Sequence, residues 1–453
     1  MIPYGRQSIN ASDIQAVVDV LQSDFLTQGP AVDQLESGLV ANFGSRYAIA
    51  LSNATAGLHC ACLALGLQAG DVLWTTAVSF VASANCGKYC GASVEFVDID
   101  PITRNISISC LQHKLKQSKI DGHLPKVLVV VHFAGLPCDM KAIAALAQEY
   151  GFYIIEDAAH AIGSEYAGKP VGACHYSDAV VFSFHPVKTI AAGEGGAVLV
   201  NDAALAKRIR QFACHGIERD SVCYQQPHTS PCYYEVQLLG FNYRLSDIHA
   251  ALALSQLKRL SIFVAKRQYL VSRYNQLLSG YPVKSHQGPS ILGDKVAWHI
   301  YVVECENQHV RDHLHAFLKQ HDIHTNVHYI PIYQQPLYHA AIGASSIGMP
   351  SISAQSSKVQ ASKVQASKAQ SPKKQCLKPH SEKPQDVEAL NYDVLYPHAQ
   401  SYYRTAITLP LYFDLSDEQQ LNIIACIHTF FDQHWVQLNN DRHSEAHREV
   451  RRD

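Results

Sequence analysis

Short apolar runs alternate with amphipathic, helix-like segments along the first 255 residues of the chain. Runs of this length are typical of buried strands, and the segments between them have helical spacing. Such alternation favours a mostly parallel sheet covered by helices on both faces, so we expect a large α/β domain over 1–255. The pattern predicts strands at 47–51, 71–74, 94–97, 126–131, 153–156, 178–184 and 196–200, and helices at 13–22 (capped by Ser12), 54–65, 80–91 and 140–150.

A second alternating region follows, and it predicts a smaller C-terminal α/β domain over 256–343 and 391–436. It contains one long helix at 246–274, a strand at 297–304, a helix at 309–321 and a last helix at 416–435. Between its two parts, residues 344–390 carry a five-residue repeat rich in Ser, Lys and Gln, which predicts a disordered, mobile insertion. Residues 437–453 form a charged tail that we expect to be frayed.

Bulk composition excludes several classes of function. A formal net charge of -2 over 453 residues gives no reason to expect a nucleic-acid or membrane-surface partner. The N-terminus lacks the pattern of a leader peptide, and the apolar runs are too short to span a bilayer. Thirteen scattered cysteines without a Cys-x-x-Cys pair are typical of reduced thiols. We therefore expect a soluble, cytoplasmic protein.

Lys188 stands just after the strand-like run 178–184 and just before the glycine-rich turn 193–196. A lysine that leaves a buried strand meets a low dielectric, which disfavours its charged form and makes its amine a better nucleophile. This is the environment that a Schiff-base lysine requires. Taken alone, however, a lysine at a strand end is more often an ordinary surface residue.

Asp157 ends another predicted strand and places a carboxylate at the same edge of the sheet, where ligands of such sheets bind. A Schiff-base lysine paired with an aspartate for a pyridinium nitrogen is the signature of pyridoxal 5′-phosphate (PLP) chemistry. Asp157 would keep that nitrogen protonated, so that the ring withdraws electrons. Its ordinary alternative is a cap on the next helix. The pair Lys188 and Asp157 predicts the catalytic centre of a PLP enzyme.

The segment 52–57, Ser-Asn-Ala-Thr-Ala-Gly, joins a predicted strand to a predicted helix. Free amides at a helix N-terminus bind phosphate, so Thr55 and Ala56 are candidate ligands of the cofactor phosphate. A plain helix cap is the alternative. Ser183 shares its side of the strand with Val181, and its hydroxyl is a further candidate for the same phosphate.

Two aromatic side chains are candidates for contacts with the cofactor ring. Phe80 follows a strand and could stack on a planar ring, but a core phenylalanine is an equal alternative. His160 could hold the phenolic oxygen of the cofactor, or it could be an interior histidine.

Two other patterns imitate binding sites. Residues 163–169 resemble a phosphate-binding P-loop, but Pro170 replaces the required Ser or Thr, so a hairpin turn is predicted. The second pattern is a group of six histidines: His309, His313, His315, His321, His324 and His328. Their spacing to Cys or carboxylate residues is not that of a metal site, so no metal site is predicted.

Together these motifs resemble the DegT/DnrJ/EryC1/StrS family of nucleotide-sugar aminotransferases, over residues 2–344 and 396–435. The resemblance implies the aspartate-aminotransferase-like PLP-dependent transferase fold type I. The insertion at 344–390 departs from the usual family pattern. The motifs that carry the resemblance are 26–30 (Leu-Thr-Gln-Gly-Pro), 52–56, 156–160 (Glu-Asp-Ala-Ala-His), 182–188, 193–196 and 240–247 (Gly-Phe-Asn-Tyr-Arg-Leu-Ser-Asp).

The resemblance also implies a homodimer with active sites at the subunit interface. Asn242 would reach the phosphate of the partner's cofactor. A further set of residues would lie on the substrate side of the site: Tyr4, Thr27, Gln28, His328, Tyr329 and Tyr333.

Within the family, the opening segment 2–7 and the segment 79–85 most resemble the branch that acts in pseudaminic acid synthesis. That branch aminates UDP-2-acetamido-2,6-dideoxy-β-L-arabino-hex-4-ulose at C4, with L-glutamate as the amino donor. Other nucleotide-sugar 4-aminotransferases of the family and a non-catalytic PLP-binding regulatory protein remain open. The family's 3-dehydratase branch carries a histidine in place of the Schiff-base lysine, so Lys188 argues against it.

Overall fold

The computed structural model describes residues 1–227, 230–285, 295–338 and 391–449, with side chains described as far as residue 433. The repeat-rich insertion predicted at 344–390 lies outside the described residues. The helices are α1 Ala11–Leu21, α2 Pro30–Phe43, α3 Ala54–Ala64, α4 Ala82–Tyr89, α5 Ile108–Asp121, α6 Met140–Tyr150, α7 Ala203–Ala213, α8 Asp247–Leu257, α9 Leu260–Leu277, α10 Gln308–Gln320, α11 Tyr392–Leu395, α12 Pro397–Thr405 and α13 Asp417–Glu449. The strands are β1 Tyr47–Leu51, β2 Val72–Thr76, β3 Ser93–Val97, β4 Val127–Val131, β5 Tyr153–Asp157, β6 Glu165–Tyr166, β7 Lys169–Pro170, β8 Ala179–Ser183, β9 Gly196–Val200, β10 Ile217–Glu218, β11 Glu235–Val236, β12 Val283–Lys284, β13 Tyr301–Cys305 and β14 Ala406–Leu409.

Seven strands form the central sheet, in the order β1-β9-β8-β5-β4-β2-β3. Strand β9 pairs antiparallel with both of its neighbours, and the other adjacent pairs are parallel. Strands β4, β8 and β9 are buried along their whole length because helices cover both faces. The predicted mixed, mostly parallel sheet is confirmed. It brings the carboxyl ends of β5 and β8 side by side.

A smaller antiparallel sheet, β12-β13-β14, is formed by the later part of the chain. Its central strand pairs Tyr301 with Leu409 and Glu304 with Ala406, so residues on either side of the insertion meet in one sheet. Helices α10 and α13 pack together beside this sheet, with buried Leu314, Leu318 and Ile427 in the core.

The hairpin predicted at 163–169 is confirmed. Strands β6 and β7 pair antiparallel, and the two residues between them, Ala167 and Gly168, have φ of 48° and 72°. Two successive left-handed residues are typical of the tight turn that joins such short strands.

Three predicted helix boundaries are wrong. Helix α1 is capped by Asn10, whose side chain accepts a hydrogen bond from Asp13 N–H, and not by Ser12. The long helix predicted at 246–274 is two helices, α8 and α9, bent by 59°. The bend follows from Arg259, which leaves the helical conformation and donates to the buried Asp13 carboxylate at 2.6 Å. Helix α13 continues to Glu449, through the segment predicted to be a frayed tail.

In the described part of the chain, no single helix is long and apolar enough to cross a membrane. The bent pair α8 and α9 meets the criteria of length and composition only when its halves are taken together.

Candidate active site

A cavity of ≈ 340 Å³ opens at the carboxyl ends of β5 and β8, beside the N-terminus of α3. It collects most of the residues singled out from the sequence. The predicted residues in its wall are Tyr4, Thr55, Phe80, Asp157, His160, Ser183, Lys188, His328 and Tyr329.

Lys188 reaches the cavity from the turn that follows β8, where its N–H donates to the His185 carbonyl oxygen at 2.8 Å. Burial lowers the pKa of the Lys188 amine from 10.5 to about 8. The Asp157 carboxylate opposes this shift, whereas the buried Arg267 guanidinium adds to it. A substantial fraction of the amine is therefore neutral, and nucleophilic, near physiological pH.

Asp157 is the last residue of β5, and its carboxylate is almost completely buried, with 6% exposure. The Ser83 hydroxyl donates to Asp157 Oδ2 at 2.6 Å, and the Ala159 N–H donates to Oδ1 at 3.2 Å. Asp157 also registers with Val181 of β8, which places it one strand away from Lys188.

The N-terminus of α3 forms another wall of the cavity. Its first intrahelical hydrogen bond is donated by Gly57 N–H to the Asn53 carbonyl oxygen, so the amides of Ala54 and Thr55 precede the ladder and point out of the helix end. The Ala56 N–H already donates to the Asn53 side chain at 2.8 Å. The helix end can therefore bind an anion through the amides of Ala54 and Thr55.

Imidazole and phenol rings form the opposite wall. His160 Nε2 lies 2.9 Å from the Tyr329 hydroxyl, and the His160 and His299 rings are 4.3 Å apart. Burial and the nearby Lys188 charge keep the pKa of both histidines well below 6.5, so both rings are neutral. Phe80 stands at the rim with 56% of its surface exposed, which leaves its ring free to cover a planar ligand.

Tyr4 and His328 close the cavity on the side of the small sheet. Their ring centroids are 5.5 Å apart, and His328 Nδ1 lies 2.8 Å from the Thr408 hydroxyl of β14. Burial and the Lys188 charge lower the pKa of His328 to about 3. This imidazole is therefore neutral and held in place by the strand.

Five predicted residues do not line this cavity. Ala56 is one of them, and its N–H is already bonded to the Asn53 side chain. Thr27 pairs its backbone with Ser246, and Gln28 follows it with φ of 57°. The backbone of Asn242 pairs with Cys214, and the Tyr333 hydroxyl donates to Gln400 in the interior. Their assigned roles remain predictions.

Sequence reasoning missed several polar residues of the wall: Asn53, Ser79, His185, Glu194, His299 and Asn326. Ser79 is a polar residue that follows the carboxyl end of β2. Asp157 was predicted from its position at the carboxyl end of a strand, so the same reasoning could have identified Ser79. The position of His299 depends on Arg267, which donates to the His299 carbonyl oxygen from α9. No local sequence pattern predicts this hydrogen bond between distant residues.

The described residues contain no group of three His, Cys, Asp or Glu side chains that could hold a metal ion. The histidines of α10 make local contacts instead. For example, His313 Nδ1 lies 2.8 Å from the His309 carbonyl oxygen.

Comparison with known proteins decides the family. The sequence model of the DegT/DnrJ/EryC1/StrS aminotransferases matches residues 7–362. The chain belongs to this family. Its aminotransferases are PLP-dependent, and they transfer an amino group from a donor to a sugar substrate.

Solved structures support the same assignment. Helicobacter pylori PseC, an aminotransferase involved in the biosynthesis of pseudoaminic acid, superposes with a TM-score of 0.76 at 26% identity, covering 95% of this chain and 99% of its own. A family member from Brucella abortus gives 0.73 at 26% identity, with 92% and 95% covered. The PMP form of a putative sugar aminotransferase from Streptococcus pneumoniae gives 0.76 at 24% identity, with 96% and 100% covered, and it supports the fold alone.

The residues of the cavity fit PLP. His160 Nδ1 is buried and lacks a hydrogen-bond partner within the described part of the chain, as expected for a group that faces a ligand. The backbone of Gly196 approaches α3 so closely that a Cβ there would lie 2.5 Å from Ala54 N. A helix end, a buried carboxylate and a low-pKa lysine thus surround one cavity and match the phosphate, the ring nitrogen and the aldehyde of PLP.

Proposed function

We propose that this family member transfers the amino group of L-glutamate to C4 of a UDP-linked 4-keto-6-deoxy-N-acetylhexosamine. The product would be UDP-4-amino-4,6-dideoxy-N-acetyl-β-L-altrosamine, a precursor of pseudaminic acid. The observation that carries the chemistry is the juxtaposition of the low-pKa Lys188 amine and the buried Asp157 carboxylate in one cavity. The choice of sugar is supported by the likeness to Helicobacter pylori PseC at 26% identity.

In this proposal, bound PLP supplies an electron-withdrawing ring that stabilises negative charge at the carbon next to the transferred nitrogen. Lys188 would hold the cofactor at rest. Once released by glutamate, its neutral Nζ would move the proton from the Cα of glutamate, which would leave as 2-oxoglutarate after giving up its amino group. Asp157 would keep a proton on the ring nitrogen, because a buried carboxylate stabilises a positive charge placed beside it.

Other residues of the cavity bind and orient. The amides of Ala54 and Thr55, with the Ser183 hydroxyl, would hold the phosphate against the N-terminus of α3. Phe80 would cover one face of the ring, and His160 would face its phenolic oxygen through Nδ1. The buried ring of His328 and the half-buried ring of Tyr329 would help to exclude water from the reacting carbon.

Absorbance with glutamate tests the chemistry. Adding L-glutamate to the PLP-loaded protein should move the absorbance of the cofactor from roughly 420 to roughly 330 nm. In Lys188→Ala this conversion should be lost, whereas the protein should still bind the cofactor, since the phosphate and ring contacts remain. The matched control is Lys169→Ala, which alters an exposed lysine of the β6–β7 hairpin and should convert as the native protein does. Full turnover by Lys188→Ala would rule out the proposal.

A panel of sugars tests the substrate. The amino form of the protein is incubated with UDP-, GDP- and dTDP-linked 4-keto-6-deoxy sugars, and the products are assigned by nuclear magnetic resonance. We expect the UDP-linked N-acetylated β-L-arabino sugar to be aminated fastest. A preference for another nucleotide, or the opposite configuration at C4, would retain the aminotransferase and replace its substrate.

We also propose a cytoplasmic homodimer with shared active sites. Among the side chains that line the cavity in the described residues, Lys188 is the only lysine or arginine. A sugar nucleotide carries a charged diphosphate, so a second copy of the chain is a natural source of further donors. Asn242, Thr27 and Gln28 lie outside the cavity of their own chain, which is compatible with a role in the partner's.

A further inference from the structure

Three buried polar side chains form a chain of hydrogen bonds beneath the cavity. The Ser79 and Ser83 hydroxyl oxygens are 2.8 Å apart, and Ser83 Oγ lies 2.6 Å from Asp157 Oδ2. Ser79 follows β2, Ser83 lies in the first turn of α4, and Asp157 ends β5. Their exposed fractions are 2%, 0% and 6%. The loop after β2 and the start of α4 are therefore linked to one carboxylate oxygen at the end of β5.

The chemistry of the groups fixes the direction of both hydrogen bonds. An ionised carboxylate can only accept, so the Ser83 hydroxyl must donate its single hydrogen to Asp157. The Ser83 oxygen can then only accept from Ser79, so the Ser79 hydrogen points towards Ser83. The order of donation is Ser79 to Ser83 to Asp157. Hydrogen bonds in such a chain polarise one another, so the outer serine strengthens the inner bond.

The position of Asp157 depends on this chain. In the described part of the protein, two donors reach its carboxylate, the Ser83 hydroxyl and the Ala159 N–H. The Ala159 bond is longer, at 3.2 Å, and comes from the same loop as Asp157 itself. The short bond from Ser83 is the contact that ties the carboxylate to a different element, and a charge-assisted bond of this length is among the stronger ones in proteins.

We propose that Ser83, supported by Ser79, is a positioning residue for the reaction. It fixes the orientation of the Asp157 carboxylate where that carboxylate would meet the ring nitrogen of PLP. Ser79 also lines the cavity, and since its own hydrogen is used, it can only accept a hydrogen bond from a ligand. This inference rests on the proposed function, because it takes Asp157 as the partner of the cofactor nitrogen.

The test measures the equilibrium affinity for PLP in Ser83→Ala, Ser79→Ala and Ser83→Thr. We expect Ser83→Ala to lose affinity about tenfold or more, since it leaves a buried charge without its short hydrogen bond. Ser79→Ala should lose less, and Ser83→Thr, which keeps the hydroxyl, should restore most of the affinity. In stopped-flow mixing with glutamate, Ser83→Ala should lower the rate of conversion at saturation more than it changes the half-saturating glutamate concentration.

The matched control is Thr75→Val, which removes a buried hydroxyl from β2 that donates to the Val129 carbonyl oxygen and does not contact Asp157. It should leave the affinity for PLP unchanged. Unchanged affinity in Ser83→Ala, or an equal loss in Thr75→Val, would overturn the inference. If Ser83→Ala does not fold, the PLP affinity of Ser79→Ala is compared with that of Thr75→Val instead. An unchanged affinity in Ser79→Ala would then overturn the inference.

A failure of the proposed function is distinguishable from these outcomes. If the proposed function is wrong, glutamate will not change the absorbance of PLP bound to the native protein. The affinities for PLP report on the serines whether or not glutamate reacts.

Discussion

At the residue scale, the chemistry of the cavity depends on the charge of Lys188. A cation held in a low-dielectric cavity is costly, and burial here lowers the pKa of the amine to about 8. Arg267 is a second buried cation, and it donates to the carbonyl oxygens of His299 and Leu411. It adds to the shift because two like charges in one low-dielectric region oppose each other. The amine is thereby prepared to react near neutral pH.

Capture of PLP by the cofactor-free protein should follow this pKa. The amine attacks an aldehyde only in its neutral form, so the rate constant should rise about tenfold per pH unit below the pKa and level off above about 8. Stopped-flow absorbance at roughly 420 nm measures the rate. Lys188→Ala is the control and should show no such phase. A rate that still rises near pH 10 would indicate an ordinary, exposed lysine and contradict the expectation.

How far single residues can be predicted depends on the range of their contacts. Lys188 and Asp157 follow apolar strands directly, so local sequence is enough to place both at one edge of the sheet. His299 lies in the cavity because Arg267, on a distant helix, binds its carbonyl oxygen. Ser83 belongs to the site through a hydrogen bond from α4 to Asp157, at the end of β5. Such contacts form only when the elements pack, so no local pattern reports them.

At the element scale, the approach of β9 to the start of α3 shapes the phosphate end of the cavity. Gly196 begins β9, opposite Leu51 and Ser183. A Cβ at Gly196 would lie 2.5 Å from Ala54 N and 2.6 Å from Asn53 C. Both neighbours are backbone atoms and cannot move as a flexible side chain would. The helix end can therefore keep its place only if residue 196 has no side chain.

Gly196→Ala should displace the N-terminus of α3. We expect the free energy of unfolding to fall by about 1–3 kcal/mol, as for other overpacked sites. The affinity for PLP should fall more than the affinity for pyridoxal, which lacks the phosphate. Urea unfolding and cofactor titration measure the two effects.

Gly38→Ala is the control for this substitution. Gly38 lies within α2, and its Cβ would meet the flexible ends of two side chains, Leu254 at 3.1 Å and Leu257 at 3.5 Å. This variant should bind PLP and pyridoxal as the native protein does. Equal losses for both ligands in Gly196→Ala would contradict a role of the helix end in binding phosphate.

Elements were predictable where the pattern is local, and they were missed where tertiary contacts decide. The strands around the cavity follow from apolar runs that the fold buries, such as Val127–Val131. The division of the predicted helix 246–274 does not, because it depends on the attraction of Arg259 to the buried Asp13 of α1. An amphipathic pattern continues through such a bend and does not mark it.

At the scale of the whole molecule, the described chain gathers a cofactor site but not all the residues that the family resemblance assigns to it. Asn242 and Thr27 lie outside the cavity, and their backbones pair with Cys214 and Ser246. The insertion does not separate the two parts of the small sheet, since β13 and β14 pair directly. The described residues therefore fold around Lys188 without Asn242 and Thr27 in the cavity, and the proposed dimer would add these distant residues.

Complementation between two inactive variants tests that assembly. Lys188→Ala lacks the amine, and Asn242→Asp places a carboxylate where we propose that Asn242 meets the partner's phosphate, so each alone should be inactive. In a mixed dimer, the Lys188 of one chain and the Asn242 of the other still form one intact site. After unfolding and refolding an equal mixture, half of the dimers should be mixed, so about a quarter of the native activity should return. Each variant refolded alone is the control. If the mixture stays inactive while both variants fold and associate, or if Asn242→Asp alone is fully active, the two residues do not share a site across the interface.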